Sequence, residues 1–182
     1  IDLSRMRGIH VDAPKRTVRV QGGATLGDVD HETHLFGLAV PAGIISGTGI
    51  AGLTLGGGVG WLIRKYGLTI DNVLSFEVVT AAGKVVTASA GENKDLFWAL
   101  RGGGGNFGVV TSFEFRAHAV STVLGGLLVH PRSEAVSVLR SFRDFMRAAP
   151  DELTAYCALM HGPDGSPIVG IIVCYCGEIA EG

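Results

Sequence analysis

The sequence predicts an α+β fold, and three observations predict it. Val73–Thr80 and Lys84–Ala88 are runs rich in β-branched residues on either side of Ala81-Ala82-Gly83, the pattern of two strands joined by a tight turn. Thr25 with Asp28 three residues later forms a capping-box start, followed by Leu26, Val29, Thr33 and Phe36 at helical spacing. From Ser133 to Ala148, a longer helix collects Val136, Val138, Leu139, Phe142, Phe145 and Met146 on one side. The 182 residues fit one domain or two small ones.

The remaining elements follow in chain order. Thr17-Val18-Arg19-Val20 alternates and meets Gly22-Gly23, so it reads as a short strand ending in a turn. Gly37 is the expected stop of the first helix. Residues 39–60 hold eight glycines from Gly43 to Gly60, too many for a regular element. Asn93 is expected to cap a short helix over Asp95–Leu100, which the run Gly102–Gly105 ends. Val109–Arg116 then reads as a strand with Phe113 and Phe115 on one face. Composition shifts at 117–121, which predicts a boundary near residue 119 and two domains, 1–118 and 119–182. In the second, strands at Val123–His130, Leu153–Met160 and Ile168–Cys176 surround the long helix, and Gly162-Pro163-Asp164-Gly165 is a turn.

Bulk properties exclude several function classes. Hydrophobic residues make up 47% and charged residues 18%, enough apolar material for a packed core. Fifteen Lys plus Arg against seventeen Asp plus Glu leave no basic footprint for nucleic acid and no charged block for a membrane surface. No apolar run is long enough to span a bilayer. Cys157, Cys174 and Cys176, an odd number confined to the last quarter and without a C-x-x-C pair, read as neither a disulfide framework nor a zinc site and suit a reducing cytoplasm. The chain opens on Ile1-Asp2-Leu3-Ser4 without an initiator Met, so it is expected to be an internal piece of a longer gene product.

The outlier is glycine: 28 residues where average usage gives roughly 13. Gly47-Thr48-Gly49-Ile50-Ala51-Gly52 matches the dinucleotide fingerprint G-x-G-x-x-G, and Asp71 stands about 20 residues on, where a ribose-binding acid is expected. That fingerprint must open a helix whose free N–H groups hold the pyrophosphate. Here Gly56, Gly57, Gly58 and Gly60 follow, and glycine in a helix interior costs about 0.8–1 kcal/mol against Ala. No continuous helix is expected over Leu53–Gly60, and the Rossmann reading is rejected. The segment instead offers bare backbone that approaches a ligand closely, with consecutive N–H groups suited to a diphosphate and hydroxyls at Ser46, Thr48 and Thr54. A flexible surface loop is the competing reading; the interleaved Ile44, Ile45, Ile50, Leu53, Leu55, Val59 and Trp61 argue against it, since a solvated linker is Ser- and Lys-rich. The second run, Gly102–Gly108, is either a tight helix-to-strand turn or a place where a strand start meets a flat ring.

Four blocks in order carry a resemblance: Val40-Pro41-Ala42-Gly43; Thr48 through Trp61; Arg64-Lys65-Tyr66-Gly67-Leu68-Thr69-Ile70-Asp71-Asn72; and Asp95-Leu96-Phe97-Trp98-Ala99-Leu100-Arg101 with Gly102–Thr111. Together they resemble the FAD-linked oxidases of the p-cresol methylhydroxylase and vanillyl-alcohol oxidase superfamily, in the berberine-bridge-enzyme-like subgroup. The match is strong over residues 1–118 and general beyond. It implies part of an FAD-binding domain followed by the start of an antiparallel-sheet substrate domain. It also implies FAD as cofactor, held through Gly43, Ser46, Thr48, Gly49, Gly52, Leu53, Thr54, Gly57 and Gly58 along the flavin and diphosphate. Gly108, Val109 and Val110 would hold the adenine end by backbone contacts.

The departures matter as much. The family's first phosphate loop, an Arg-Ser-Gly-Gly-His-type stretch whose His often bonds the flavin, precedes Ile1. None of His10, His31, His34, His118, His130 or His161 sits beside a glycine pair. Where doubly attached relatives carry a Cys, this chain has Ile45, which excludes a thioether link. Members are more than twice this length, so the chain is expected to lack a complete active site. Its parent would take a hydride from a small alcohol, sugar or amine to the flavin N5 with oxygen as acceptor; the alternative is a folded, non-catalytic FAD-domain fragment without flavin. No catalytic residue is identified. Trp61 and Trp98 are expected to pack in the core, and His118 and His130 to lie on the surface. Tyr66 as an acid lacks a visible partner, and Arg64 and Lys65 either balance phosphate or are solvated. The assignment requires the stretches 48–60 and 102–108 to adjoin.

Overall fold

The computed structural model describes residues 1–182, which divide into two compact units, Ile1–Ser121 and Thr122–Gly182. In the first, five strands form an antiparallel sheet: β1 (Ile9–Asp12), β2 (Thr17–Gln21), β4 (Val73–Val79), β5 (Val85–Ser89) and β6 (Val109–Arg116), in the order β1-β2-β6-β4-β5. Period-2 alternation decides its faces. Val18, Val20, Phe76, Val78, Phe113 and Phe115 are buried on the inner face, where Phe76 meets Phe113 edge-on at 5.6 Å between centroids. The outer face carries a polar ladder: Arg19 donates to Ser112 Oγ and Glu77, and Ser75 donates to Glu114.

Helix α1 (Leu26–His34) lays Leu26 and Val29 into this core. Its capping box forms as expected: Asp28 N–H donates to Thr25 Oγ1 at 3.3 Å, and Thr25 N–H to Asp28 Oδ2 at 2.8 Å. Arg7 clasps the same carboxylate at 2.7 Å, and with the Thr25 amide holds its pKa down to about 2. Two-residue strands β3 (Leu38–Ala39) and β7 (His118–Ala119) pair across eighty residues of chain, a contact no local pattern announces. Short helices α2 (Ile50–Leu55), α3 (Ile63–Tyr66) and α4 (Lys94–Leu100) complete the unit, with 3-10 turns at Thr69–Asn72 and Gly104–Phe107.

Three expectations are corrected. Residues 39–60 do contain a regular element: α2 makes six residues of helix because only Gly52 lies in its interior, and it stops at Gly56, before the glycine cluster. Asn93 precedes α4 but does not cap it with its side chain; its φ is +47°, and its Nδ2 donates to Thr87 O at 2.6 Å instead. Trp98 does not pack: it is 79% exposed, on the outer side of α4.

The second unit is a three-stranded antiparallel sheet, β8 (Leu124–Pro131), β9 (Leu153–His161) and β10 (Pro167–Tyr175), in the order β8-β10-β9. Helix α5 (Ala135–Ala148) crosses one face. Between them lies a cavity of about 560 Å³ lined by Leu128, Val138, Phe142, Ile171 and Tyr175 among others. Of the predicted apolar side of α5, Val138 is buried while Val136, Leu139 and Phe145 stay exposed. The β9–β10 turn closes as read, with Gly165 at φ +80° and Ser166 bonded to Asp164. None of the three cysteines is in a disulfide, and burial pushes the Cys174 thiol pKa upward. No helix of the protein is long and apolar enough to cross a membrane.

Candidate cofactor site

The first glycine run begins on the N-terminus of α1. Leu26 N–H donates to Thr48 O and Gly27 N–H to Ser46 O, both at 2.9 Å, so the loop carbonyls occupy the free first-turn donors of that helix. This fixes the direction of the loop's own amides. In a planar trans peptide the C=O and N–H point oppositely, so carbonyls turned toward α1 send the Gly47 and Gly49 N–H groups away from it. A side chain added at Gly47, Gly49 or Gly52 would meet no heavy atom within 4 Å, and all three residues are exposed. Nothing inside the protein requires glycine there.

The rest of the run is different. A Cβ on Gly43 would press on Leu53, on Gly58 it would strike Thr69 Oγ1 at 2.3 Å, and on Gly60 it would overlap Ala42 O. These glycines let the chain fold onto itself. Gly57, at φ +115°, makes the bend that ends α2. Gly58 O and Gly57 O then accept from Thr69 and Ile70 N–H at 3.0 and 2.9 Å, seating the run on the Thr69–Asn72 turn. Ser46 is exposed and Thr48 half-buried. Leu53 is partly buried against the core, whereas Thr54 points inward, fully buried, its hydroxyl without a protein partner, as is that of Thr69.

The second run repeats the division. Gly102, Gly104 and Gly105 face open space, with Gly102 at φ +105° and Gly104 at φ +66°. Gly103 is packed on Ala99 O, and Gly108 on Val79 O. Val109 and Val110 pair with Val79 and Val78 of β4, while Gly22 lies against Val110 O on the other side. The two runs adjoin: α2 packs on the Gly104–Phe107 turn. Ile44, Ile45, Val59 and Phe107, all within these runs, expose apolar side chains.

Two constellations escaped the sequence. Arg101 Nη1 donates to Ile70 O at 2.7 Å and Nη2 to Asp71 Oδ1 at 2.9 Å, so the acid of the false fingerprint is an ion-pair partner. The signal was an Arg directly before a side-chain-free run. His118 is half-buried rather than freely solvated: its Nε2 lies 2.7 Å from Asn72 Oδ1, and its ring stacks on Tyr66 at 3.9 Å. Asn72 Nδ2 is already donated to Tyr66 O and Leu68 O, so its oxygen accepts and His118 Nε2 carries the proton. Burial, then the charges of Arg116 and Arg16, lower the His118 pKa. Tyr66 thus has a partner, and Lys65 lies over its ring at 5.6 Å. His130 sits 3.9 Å from Glu134 in the other unit.

Comparison with known proteins decides the family. The FAD binding domain family matches residues 1–89. A FAD-linked oxidoreductase of Dictyostelium discoideum is 40% identical over 94% of this chain and 38% of its own length. The (R)-6-hydroxynicotine oxidase of Paenarthrobacter nicotinovorans is 38% identical over 96% of this chain and 38% of its own. Residues 1–89 thus match an FAD binding domain, and over most of its length the chain is similar to FAD-linked oxidoreductases. Its fold matches the crystal structure of 6-hydroxy-D-nicotine oxidase from Arthrobacter nicotinovorans (TM-score 0.88, 36% identity, 97% of this chain and 40% of that one). It also matches BBE-like 28 of Arabidopsis thaliana (TM-score 0.90, 34% identity, 98% of this chain and 37% of that one). The chain therefore spans well under half the length of these relatives.

FAD is the cofactor of this family, and the residues present fit it. Gly47, Gly49 and Gly52 on the first run and Gly105 on the second have neither a neighbouring atom nor a positive φ that requires glycine, and the two runs adjoin. The Gly47 and Gly49 N–H groups face outward on the first run, and both runs expose apolar side chains, a mixture that suits a dinucleotide carrying a flat apolar ring.

Proposed function

We propose that the protein carrying this chain is an FAD-dependent oxidase acting on a small alcohol, sugar or amine. When bound, FAD supplies the capacity to accept a hydride from a substrate carbon beside a hydroxyl or amine. The chain's own residues bind and orient. The Gly47 and Gly49 amides donate hydrogen bonds, and the bare faces of Gly49 and Gly52 allow van der Waals approach. Ser46 and Thr48 add hydroxyls, and Gly57 sets the bend. Gly43, Leu53, Thr54, Gly58 and Gly108 act beneath the surface, fixing the loop's shape, while Val109 and Val110 present the start of β6 to the adenine end. Residues 1–118 are then the partial FAD-binding domain and 119–182 the start of the substrate-binding domain.

The observation that carries this reading is two adjoining glycine runs, the first of which turns the Gly47 and Gly49 amides outward. Among the relatives, (R)-6-hydroxynicotine oxidase and a chitooligosaccharide oxidase support oxygen as acceptor, and their named substrates support small polar molecules. Cys157, Cys174 and Cys176, none of them in a disulfide, support a reducing, cytoplasmic setting. The test is a visible absorbance spectrum of the dialysed protein, followed by an assay for peroxide with alcohols, sugars and amines. Retained flavin bands and peroxide formation are expected; a colourless folded protein overturns the reading.

A further inference from the structure

We infer that Arg101 is a positioning residue that sets the spacing between the two glycine runs and thereby the orientation of the flavin; this rests on the FAD reading above. The geometry is a chain of contacts. The first run hangs on the Thr69–Asn72 turn through the Gly57 and Gly58 carbonyls. The Arg101 fork grips that turn at two points of different kind, the Ile70 carbonyl and the Asp71 carboxylate. Asp71 is held in place by Leu68 N–H on its other oxygen at 3.0 Å. The Arg101 guanidinium also lies over the Phe97 ring of α4 at 5.5 Å from its centroid. One residue on, the second run starts at Gly102.

The first run is anchored by Ile50, Thr54 and Leu55, whereas the open part of the second has no side chains to fix its own place. Gly102, Gly104 and Gly105 touch nothing a Cβ would touch, so their backbone is positioned from its ends. A partly exposed ion pair contributes little to stability. A rigid planar fork bonded to two acceptors thirty residues away contributes geometry, which Lys, a single point charge on a flexible stem, does not reproduce. Supporting contacts of this kind hold a binding constellation to within about 0.5 Å.

The experiment uses the flavin-loaded, full-length protein as wild type, Arg101→Lys, Asp71→Asn, and Arg143→Lys as a control on α5 in the other unit. Visible circular dichroism and iodide quenching of flavin fluorescence report the ring's surroundings, and far-ultraviolet thermal unfolding reports the fold. Arg101→Lys and Asp71→Asn are expected to lower the visible dichroism by about half and raise quenching about threefold. Their melting points should stay within about 3 °C of wild type. A flavin signal unchanged in both variants overturns the proposal while leaving the FAD reading standing. A signal lost only in step with the far-ultraviolet signal also overturns it. A wild-type protein that takes up no flavin overturns both.

Discussion

The two halves of the first glycine run look alike in sequence and do opposite work. In residues 47–52 nothing inside the chain requires glycine: no internal atom lies near the missing Cβ. In residues 56–60 glycine serves the chain itself, letting Gly58 pass Thr69 and Gly60 pass Ala42. Glycine content alone therefore does not mark a binding surface. What marks it is glycine whose absent side chain leaves a space that the protein does not fill.

The sharpest way to break this distinction is Gly60→Ala. Its Cβ would overlap a backbone carbonyl, so a loss of about 3 kcal/mol is expected in urea unfolding. Flavin should disappear with the fold. Gly49→Val is the converse. Gly49 has φ −69° and ψ 132°, which valine adopts freely, so stability should change by no more than about 0.5 kcal/mol. Flavin uptake at limiting FAD should fall about tenfold, or about 1.4 kcal/mol. A Gly49→Val protein that binds FAD normally would remove the open half from the site.

Smaller effects test how the open half is supported. Thr25→Ala removes the cap of the helix whose amides hold Ser46 and Thr48, and should cost about 1 kcal/mol in the same unfolding experiment. Acid titration adds a pH signature. The Asp28 carboxyl is depressed from 3.8 to about 2 by Arg7 and the Thr25 amide, so its contribution is complete above pH 3.8 and is lost as pH falls through about 2. Asp28→Asn should flatten that part of the acid unfolding curve. His118 acts at milder pH. Its pKa is lowered on folding, so the unfolded chain takes up the proton first, and stability declines as pH drops below 6.5. His118→Gln should abolish that decline.

Much of the fold was legible because local rules and tertiary structure agree. Alternation at Val18/Val20 and Phe113/Phe115 gave the sheet's inner face, and Thr25 with Asp28 gave the start of α1. The failures share a cause. Helix α2 was hidden because eight nearby glycines outweighed six residues of which one is glycine. The β3–β7 pair, the Arg101–Asp71 link and the Asn72–His118 bond join residues far apart in the chain, where no spacing rule reaches. Trp98 was assigned to the core because large aromatics usually bury, yet it stands on the outward side of a seven-residue helix. As for the site, the glycine runs were visible at once, but the outward direction of the Gly47 and Gly49 amides needed the hydrogen bonds to α1.

Strand β6 lies at the centre of the five-stranded sheet yet comes last in the chain among its strands. During synthesis the β1–β2 and β4–β5 hairpins emerge early, and each must wait for Arg116 before the strand that joins them exists. Val18, Val20, Phe76 and Val78 stay unsheltered in the meantime. A nascent chain stalled before that point would hold two unjoined ribbons with sticky faces, prone to capture by chaperones. The two glycine runs, which meet through α2 and the Gly104–Phe107 turn, would likewise come together only late in synthesis.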